Sequence, residues 1–113
     1  MATGILARGT LTNNVAQNIY SIPADAEGGY AVVKVQMMNM GISDANCRIA
    51  LHGSSLTDAD YLEYDVAVVP RGLIERSGVV VGAGQAITLW TTNSDSVTFT
   101  VHGTEVNVPD PVE

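Results

Sequence analysis

The side chains best placed by type and spacing to do chemistry are four carboxylates in one short stretch, Asp58, Asp60, Glu63 and Asp65. Closely spaced oxygen ligands of this kind can bind Ca²⁺. The stretch lacks both the glycine at the sharp turn and the terminal bidentate glutamate of a calcium-binding loop, so its spacing favours a solvated acidic loop. We therefore predict no metal site.

The other nucleophiles and titratable groups are isolated in the sequence. His52 and His102 each precede a glycine, and no third ligand stands at a metal-binding spacing from either. Cys47 alternates with Ile49 and Leu51, which is typical of a small buried side chain rather than of a nucleophile. There is no G-x-S-x-G motif and no glycine-rich phosphate loop. The sequence thus predicts a protein that is not an enzyme, with no catalytic residue and no cofactor.

Composition excludes two classes of partner. The 113 residues fit one domain and include twelve acidic and five basic side chains, for a formal charge of −7. Nucleic-acid binding needs clustered Lys and Arg, which are scattered here, and an anionic membrane surface is disfavoured for the same reason. No leader-like segment begins the sequence, so we expect synthesis in the cytoplasm. Only 15% of residues are charged, which suggests that a partner covers some of the surface.

Alternating apolar and polar residues predict a chain built of β-strands. The clearest are a pair over residues 30–51 and a pair over residues 86–103, and we expect each pair to form a hairpin. Short strands separated by turn signals, without helical periodicity, predict an all-β fold. We expect a single antiparallel β-sandwich, jelly-roll or immunoglobulin-like, with about seven or eight strands. Its predicted core lies on the inward faces of these strands: Val33, Val35, Cys47, Ile49, Leu51, Ile87, Leu89, Val97, Phe99 and Val101.

Both ends of the chain are predicted to extend from the sandwich. Residues 1–14 are interpreted as an N-terminal arm or a first strand, residues 15–103 as the sandwich domain, and residues 104–113 as an extended C-terminal tail. Two prolines near the C-terminus make a central strand unfavourable there, because proline cannot donate a backbone hydrogen bond. Apolar side chains on a free arm contribute no hydrophobic stabilisation until they are buried against a partner. We therefore predict partner contacts at these residues: Ile5, Leu6, Leu11, Val106 and Val108.

Three segments in a fixed order resemble small structural proteins of tailed bacteriophages, especially phages of cyanobacteria. The first is IYSIPA at residues 19–24, followed by YAVVKVQMMN at 30–39. The second is LEYD at 62–65 with PRGLIERSG at 70–78, and the third is VVGAGQ at 80–85, which leads to a closing His102-Gly103. The resemblance covers about residues 15–103, and the outer segments match no motif of the group.

The resemblance implies a β-sandwich component of the virion without catalysis. Two loose arms would suit a capsid decoration (cement) protein on the outside of the head, where an acidic protein fits better than beside the packaged DNA. The expected partners are the major capsid protein and the protein itself, most plausibly as a trimer, with assembly in the host cytoplasm. Two alternatives stay open: a tail, neck or fibre module, and a carbohydrate-binding β-sandwich, for which Trp90 could be the aromatic platform.

Overall fold

The computed structural model describes residues 3–92 and 97–108, and this part of the chain folds into eight β-strands and one short 3₁₀-helix. The first four strands are β1 (Thr3–Thr10), β2 (Gln17–Ser21), β3 (Tyr30–Asn39) and β4 (Ala45–His52). After the 3₁₀-helix (Asp58–Asp60) come β5 (Tyr61–Val68), β6 (Leu73–Gly82), β7 (Ala86–Thr92) and β8 (Val97–Val106).

The strands form two four-stranded sheets. Sheet A has the order β1-β8-β3-β6 and sheet B the order β2-β7-β4-β5, and every pair is antiparallel. This strand order is that of an eight-stranded jelly roll, in which the chain passes back and forth between two facing sheets. The predicted antiparallel β-sandwich is confirmed.

Neither expected hairpin forms, because the strands of each pair lie in different sheets. β3 belongs to sheet A and β4 to sheet B, and β7 and β8 are separated in the same way. Among consecutive strands, only β4 and β5 pair within the described chain. Alternation identifies which face of a strand is apolar, but partner strands are chosen by non-local packing, and a short connection can cross the roughly 10 Å between sheets as easily as it can close a hairpin.

The core lies between the two sheets and follows the predicted alternation closely. Along β3, every second residue from Ala31 to Asn39 is buried, and along β4 Cys47 and Ile49 face them from the other sheet. Nine of the ten predicted core residues are buried. The exception is Leu51, which is half-buried near the end of β4 and packs against the edge of the core.

Of the two interpretations of residues 1–14, the structure shows a first strand, and the described start of the predicted tail, residues 104–108, also belongs to the sandwich. Residues 3–10 form the edge strand β1, which pairs with β8 from Thr3↔Thr104 to Thr10↔Thr98. Leu11, which follows β1, is 2% exposed. β8 in turn continues to Val106, and Val108 is buried beyond it. The physical reason is that the apolar side chains of both segments have core to join. Residues 109–113 of the predicted tail lie outside the described part.

Candidate attachment surface

Connectivity places four inter-strand connections at one end of the sandwich, which we call the tip. Those within the described ranges are residues 11–16, 40–44 and 69–72, and residues 93–96, between β7 and β8, lie outside those ranges. The other three connections, residues 22–29, 53–60 and 83–85, lie at the opposite end, where β1 also begins and β8 ends. The two ends can therefore differ in chemistry, because no connection contributes to both.

The tip carries several large apolar side chains that are open to solvent. Ile42 is 99% exposed, Met40 61% and Val69 58%. The full set of exposed apolar residues in the described tip connections, with the first residue of β6, is Val15, Met40, Ile42, Val69 and Leu73. Single exposed apolar residues are ordinary on protein surfaces, but these five are half of the ten exposed large apolar residues in the described ranges, which makes the tip a candidate contact surface.

Asn39, the last residue of β3, fixes the shape of the tip. Its side chain is fully buried, and its Nδ2 donates to the carbonyl oxygens of Ser43 at 2.8 Å and Val68 at 2.9 Å. Its Oδ1 accepts from the Gly41 amide at 2.9 Å. One amide side chain thus ties the connection that presents Met40 and Ile42 to the strand end that presents Val69.

The connection between β5 and β6 is a tight turn that packs against the same strand end. The Gly72 amide donates to the Val69 carbonyl at 2.8 Å, and the Arg71 amide donates to the Asn39 carbonyl at 2.7 Å. A Cβ at Gly72 would lie 2.9 Å from Val69 Cγ2, so glycine is required there. The two described connections that carry the most exposed side chains are therefore ordered before any partner binds.

Charge is distributed unequally between the two ends. The described tip connections contain one acidic and one basic residue, Asp44 and Arg71. The connections at the opposite end contain no Lys or Arg and hold four carboxylates: Asp25, Glu27, Asp58 and Asp60. The described tip connections are consequently apolar and carry no net charge, and the connections at the opposite end are acidic.

The structure does not bring the five predicted contact residues together. Leu11 and Val108 are buried in the core, and Leu6 and Val106 are half-buried, with Leu6 packed against the core. Ile5 alone is largely exposed, on edge strand β1 and away from the tip. Burial removes Leu11 and Val108 from any contact with a partner, because exposing them would open the core.

Sequence reasoning missed the tip because its apolar residues lie in segments that read as polar turns. Ile42 stands between Gly41 and Ser43, and Val69 directly precedes Pro70. The available signal was the residue type itself: large apolar side chains are unusual in a turn that has no core to join.

The titratable residues singled out in the sequence mostly have partners within the chain. Asp60 accepts from the Thr57 amide and hydroxyl, Asp65 pairs with Arg48, and Glu63 pairs with Arg76 at 3.2 Å. In residues 3–92 and 97–108, no three His, Cys, Asp or Glu side chains are grouped so that they could hold a metal ion.

The two histidines and the cysteine differ in their surroundings: the buried Nδ1 of His102 has no hydrogen-bond partner among the described residues, whereas His52 is hydrogen-bonded and Cys47 is buried. His52 shares a hydrogen bond with the Thr88 hydroxyl at 2.6 Å. Cys47 is fully buried, and burial raises the pKa of its thiol, which opposes formation of a nucleophilic thiolate.

Comparison with models of known protein families, with curated proteins and with solved structures finds no match to this chain. The described residues contain no helix that is long and apolar enough to cross a membrane.

Proposed function

We propose that this protein is a structural component of a tailed-phage virion, most specifically a capsid decoration protein that binds and stabilises the outer surface of the head. The observation that carries the proposal is the ordered apolar tip, at which Ile42 is almost fully exposed beside Met40 and Val69. The resemblance of residues 15–103 to phage structural proteins supplies the class of assembly. The jelly-roll architecture is compatible with this role but does not by itself imply it.

The energetics favour attachment by the tip over attachment by free arms. Burying a fully exposed aliphatic side chain contributes about 1.5–3 kcal/mol. Ordering a free chain would oppose that gain at about 1–2 kcal/mol per residue. At the tip most of this cost is already met on folding, because Asn39 holds the connections in place. Three or four tip side chains would contribute about 4.5–12 kcal/mol against an association cost of about 4–15 kcal/mol, so avidity within an oligomer must add to the affinity.

The charge distribution suits a module attached by its tip to the outside of a shell. With the neutral tip against the major capsid protein, the acidic opposite end points away into solvent. An inward-facing position would set Asp25, Glu27 and their neighbours against packaged DNA, where like charges repel. We therefore place the protein on the capsid exterior, added after or during shell assembly in the host cytoplasm.

We also propose that the protein self-associates as a trimer, because a trimer matches the threefold axes of a shell. A candidate surface for it is the outer face of sheet A, where exposed Val32 pairs across the strands with exposed Val80 and lies two residues from exposed Tyr30. Sedimentation of the free protein, and of the protein bound to shells, tests this part. A monomer in both settings would refute it.

A pair of matched double variants tests attachment by the tip. Ile42→Ser with Val69→Ser removes two tip side chains, whereas Val32→Ser with Val80→Ser removes two exposed aliphatic side chains from sheet A. Binding to purified shells that lack the protein is measured for each. The tip variant should lose at least about 100-fold in affinity, since each tenfold corresponds to about 1.4 kcal/mol.

The control variant should retain most of the affinity of each protomer, and both variants should melt near the parent temperature because the replaced groups are exposed. Unchanged binding by the tip variant would contradict the proposal. The alternative, a tail, neck or fibre module, uses the same tip and differs in how many copies each particle holds.

A further inference from the structure

Strand β5 carries an irregularity that changes which side chains reach the surface. Opposite the single residue Arg48 of β4, β5 has two residues, Tyr64 and Asp65, because Cys47 pairs with Val66 and Ile49 with Glu63. Asp65 has a positive φ of 51°, a conformation that non-glycine residues adopt rarely. Regular alternation would set Tyr64 on the inward face with Val66, and the bulge instead leaves it 56% exposed on the outside.

Arg48 holds the displaced tyrosine in place. Its guanidinium lies 4.2 Å from the ring centroid of Tyr64 and 3.9 Å from that of Trp90, and its Nε is paired with the Asp65 carboxylate. Trp90 is therefore not the open platform that the sequence suggested, because Arg48 covers a face of its indole. It forms the base of a stack whose outermost ring is Tyr64.

An open cleft of about 410 Å³ lies beside this stack, at the end of the sandwich opposite the tip, and is lined by Asp58, Tyr61 and Tyr64. The two tyrosine rings meet edge to face, with centroids 4.9 Å apart and planes at 81°. Within the described chain, neither tyrosine hydroxyl has a hydrogen-bond partner, and the exposed Asp58 carboxylate is likewise unpartnered. Its neighbour Asp60 is instead engaged by Thr57.

We propose that this cleft binds one unit of an uncharged saccharide. A sugar ring presents an apolar C–H face that packs on an aromatic ring, and its hydroxyl groups match the carboxylate acceptor of Asp58 and the hydroxyls of Tyr61 and Tyr64. The aromatic rings and the hydrogen-bonding groups line the same cleft, a combination that is typical of small-ligand sites. The site is held ready by the Arg48 stack, so binding needs little ordering of the protein.

The surroundings select against charged ligands. A cation placed against Tyr64 would be repelled by the Arg48 guanidinium, because this guanidinium already lies over the Tyr64 ring. An anionic saccharide would meet Asp58 and the other carboxylates of this acidic end. An uncharged saccharide avoids both penalties. The inference does not depend on the proposed attachment, although a protein bound by its tip would present this cleft outward.

The test uses the intact protein, displayed as a multivalent complex on an array of neutral and sialylated glycans, since multivalency makes weak sites detectable. The strongest neutral glycan is then titrated by NMR against the free protein, without the multivalent display. Binding should be confined to neutral glycans, with shifts centred on Tyr61 and Tyr64. Tetramethylammonium, used as a cationic probe, should cause no comparable shifts.

Three variants and one matched control make the result specific. Tyr61→Ala, Tyr64→Ala and Asp58→Asn should each weaken binding by about tenfold or more, a loss typical of a central contact. Ile5→Ala, which removes an exposed apolar side chain from edge strand β1 of sheet A, should leave binding unchanged. Asp58→Asn replaces an exposed, unpartnered group, so this variant keeps the test valid if a tyrosine variant misfolds.

The proposal is overturned if no neutral glycan on the array binds, or if only sialylated glycans or tetramethylammonium bind. It is also overturned if the Asp58→Asn variant retains full affinity, or if Ile5→Ala weakens binding as much as Tyr64→Ala does. Failure of this test leaves attachment by the tip untouched, because the tip variants alter different residues at the other end of the fold.

Discussion

Replacing Asn39 by alanine should destabilise the protein strongly through three lost hydrogen bonds at the tip. The bond from Asn39 Nδ2 to the Val68 carbonyl is buried, and leaving a buried acceptor unsatisfied costs about 1–3 kcal/mol. The bonds that involve Ser43 and Gly41 are partly buried, and each contributes about 0.5–1.5 kcal/mol. The variant should therefore lose about 3–4 kcal/mol of a total stability on the order of 5–15 kcal/mol, and should still fold.

Thermal and urea unfolding measure this loss directly. For a domain of this size, about 4 °C per kcal/mol gives a fall in melting temperature of roughly 15 °C. Asn18→Ala is the matched control, because Asn18 is exposed on β2 with no side-chain hydrogen bond among the described residues, and it should change stability by less than about 0.5 kcal/mol. If Asn39→Ala and Asn18→Ala melt together, the assigned role of Asn39 is wrong.

Two further predictions concern the interior and the response to pH. Gly103→Ala should prevent folding, since the new Cβ would lie 2.1 Å from the Val32 carbonyl oxygen. Gly53→Ala is the control and should fold normally, because the space around Gly53 is open. Soluble yield and circular dichroism show whether each variant folds. Burial, and then the hydrogen bond to Glu105, raise the pKa of Tyr20 far above its ordinary value. The folded form therefore keeps a proton that the unfolded form loses above about pH 10, so stability should fall as pH rises beyond that point. Tyr20→Phe should reduce the slope of urea midpoint against pH in this range, and an unchanged slope would count against the assignment.

The sequence allowed the strands and the inward faces to be predicted, because both follow from local alternation. The buried positions of β3 and of β4 up to Ile49 are those expected from the pattern. The pairing of the strands could not be predicted from this alternation. The turn at residues 41–46 is rich in hairpin-type residues, yet β3 pairs with β6 and β8 in one sheet while β4 pairs with β5 and β7 in the other.

The surfaces that we propose to be functional were harder to predict than the core. Nothing in the sequence around Leu11 and Val108 distinguishes a core residue from a residue on a docking arm. The structure shows that both side chains are buried. Tyr64 was placed in a loop because the bulge in β5 breaks the alternation that identifies a strand. The stacking of Tyr64, Arg48 and Trp90 depends on three different strands, so no local pattern could indicate it.

The number of copies in the particle tests the proposed function most directly. Quantitative mass spectrometry of virions, purified from a phage whose genome encodes this chain, gives the ratio of the protein to the major capsid protein. A decoration protein should be present in numbers of the same order as the major capsid protein, and mild treatment that strips it should leave intact but less heat-resistant heads. A ratio typical of a single tail or neck ring would contradict the decoration role, and absence from the particle would contradict the proposal as a whole.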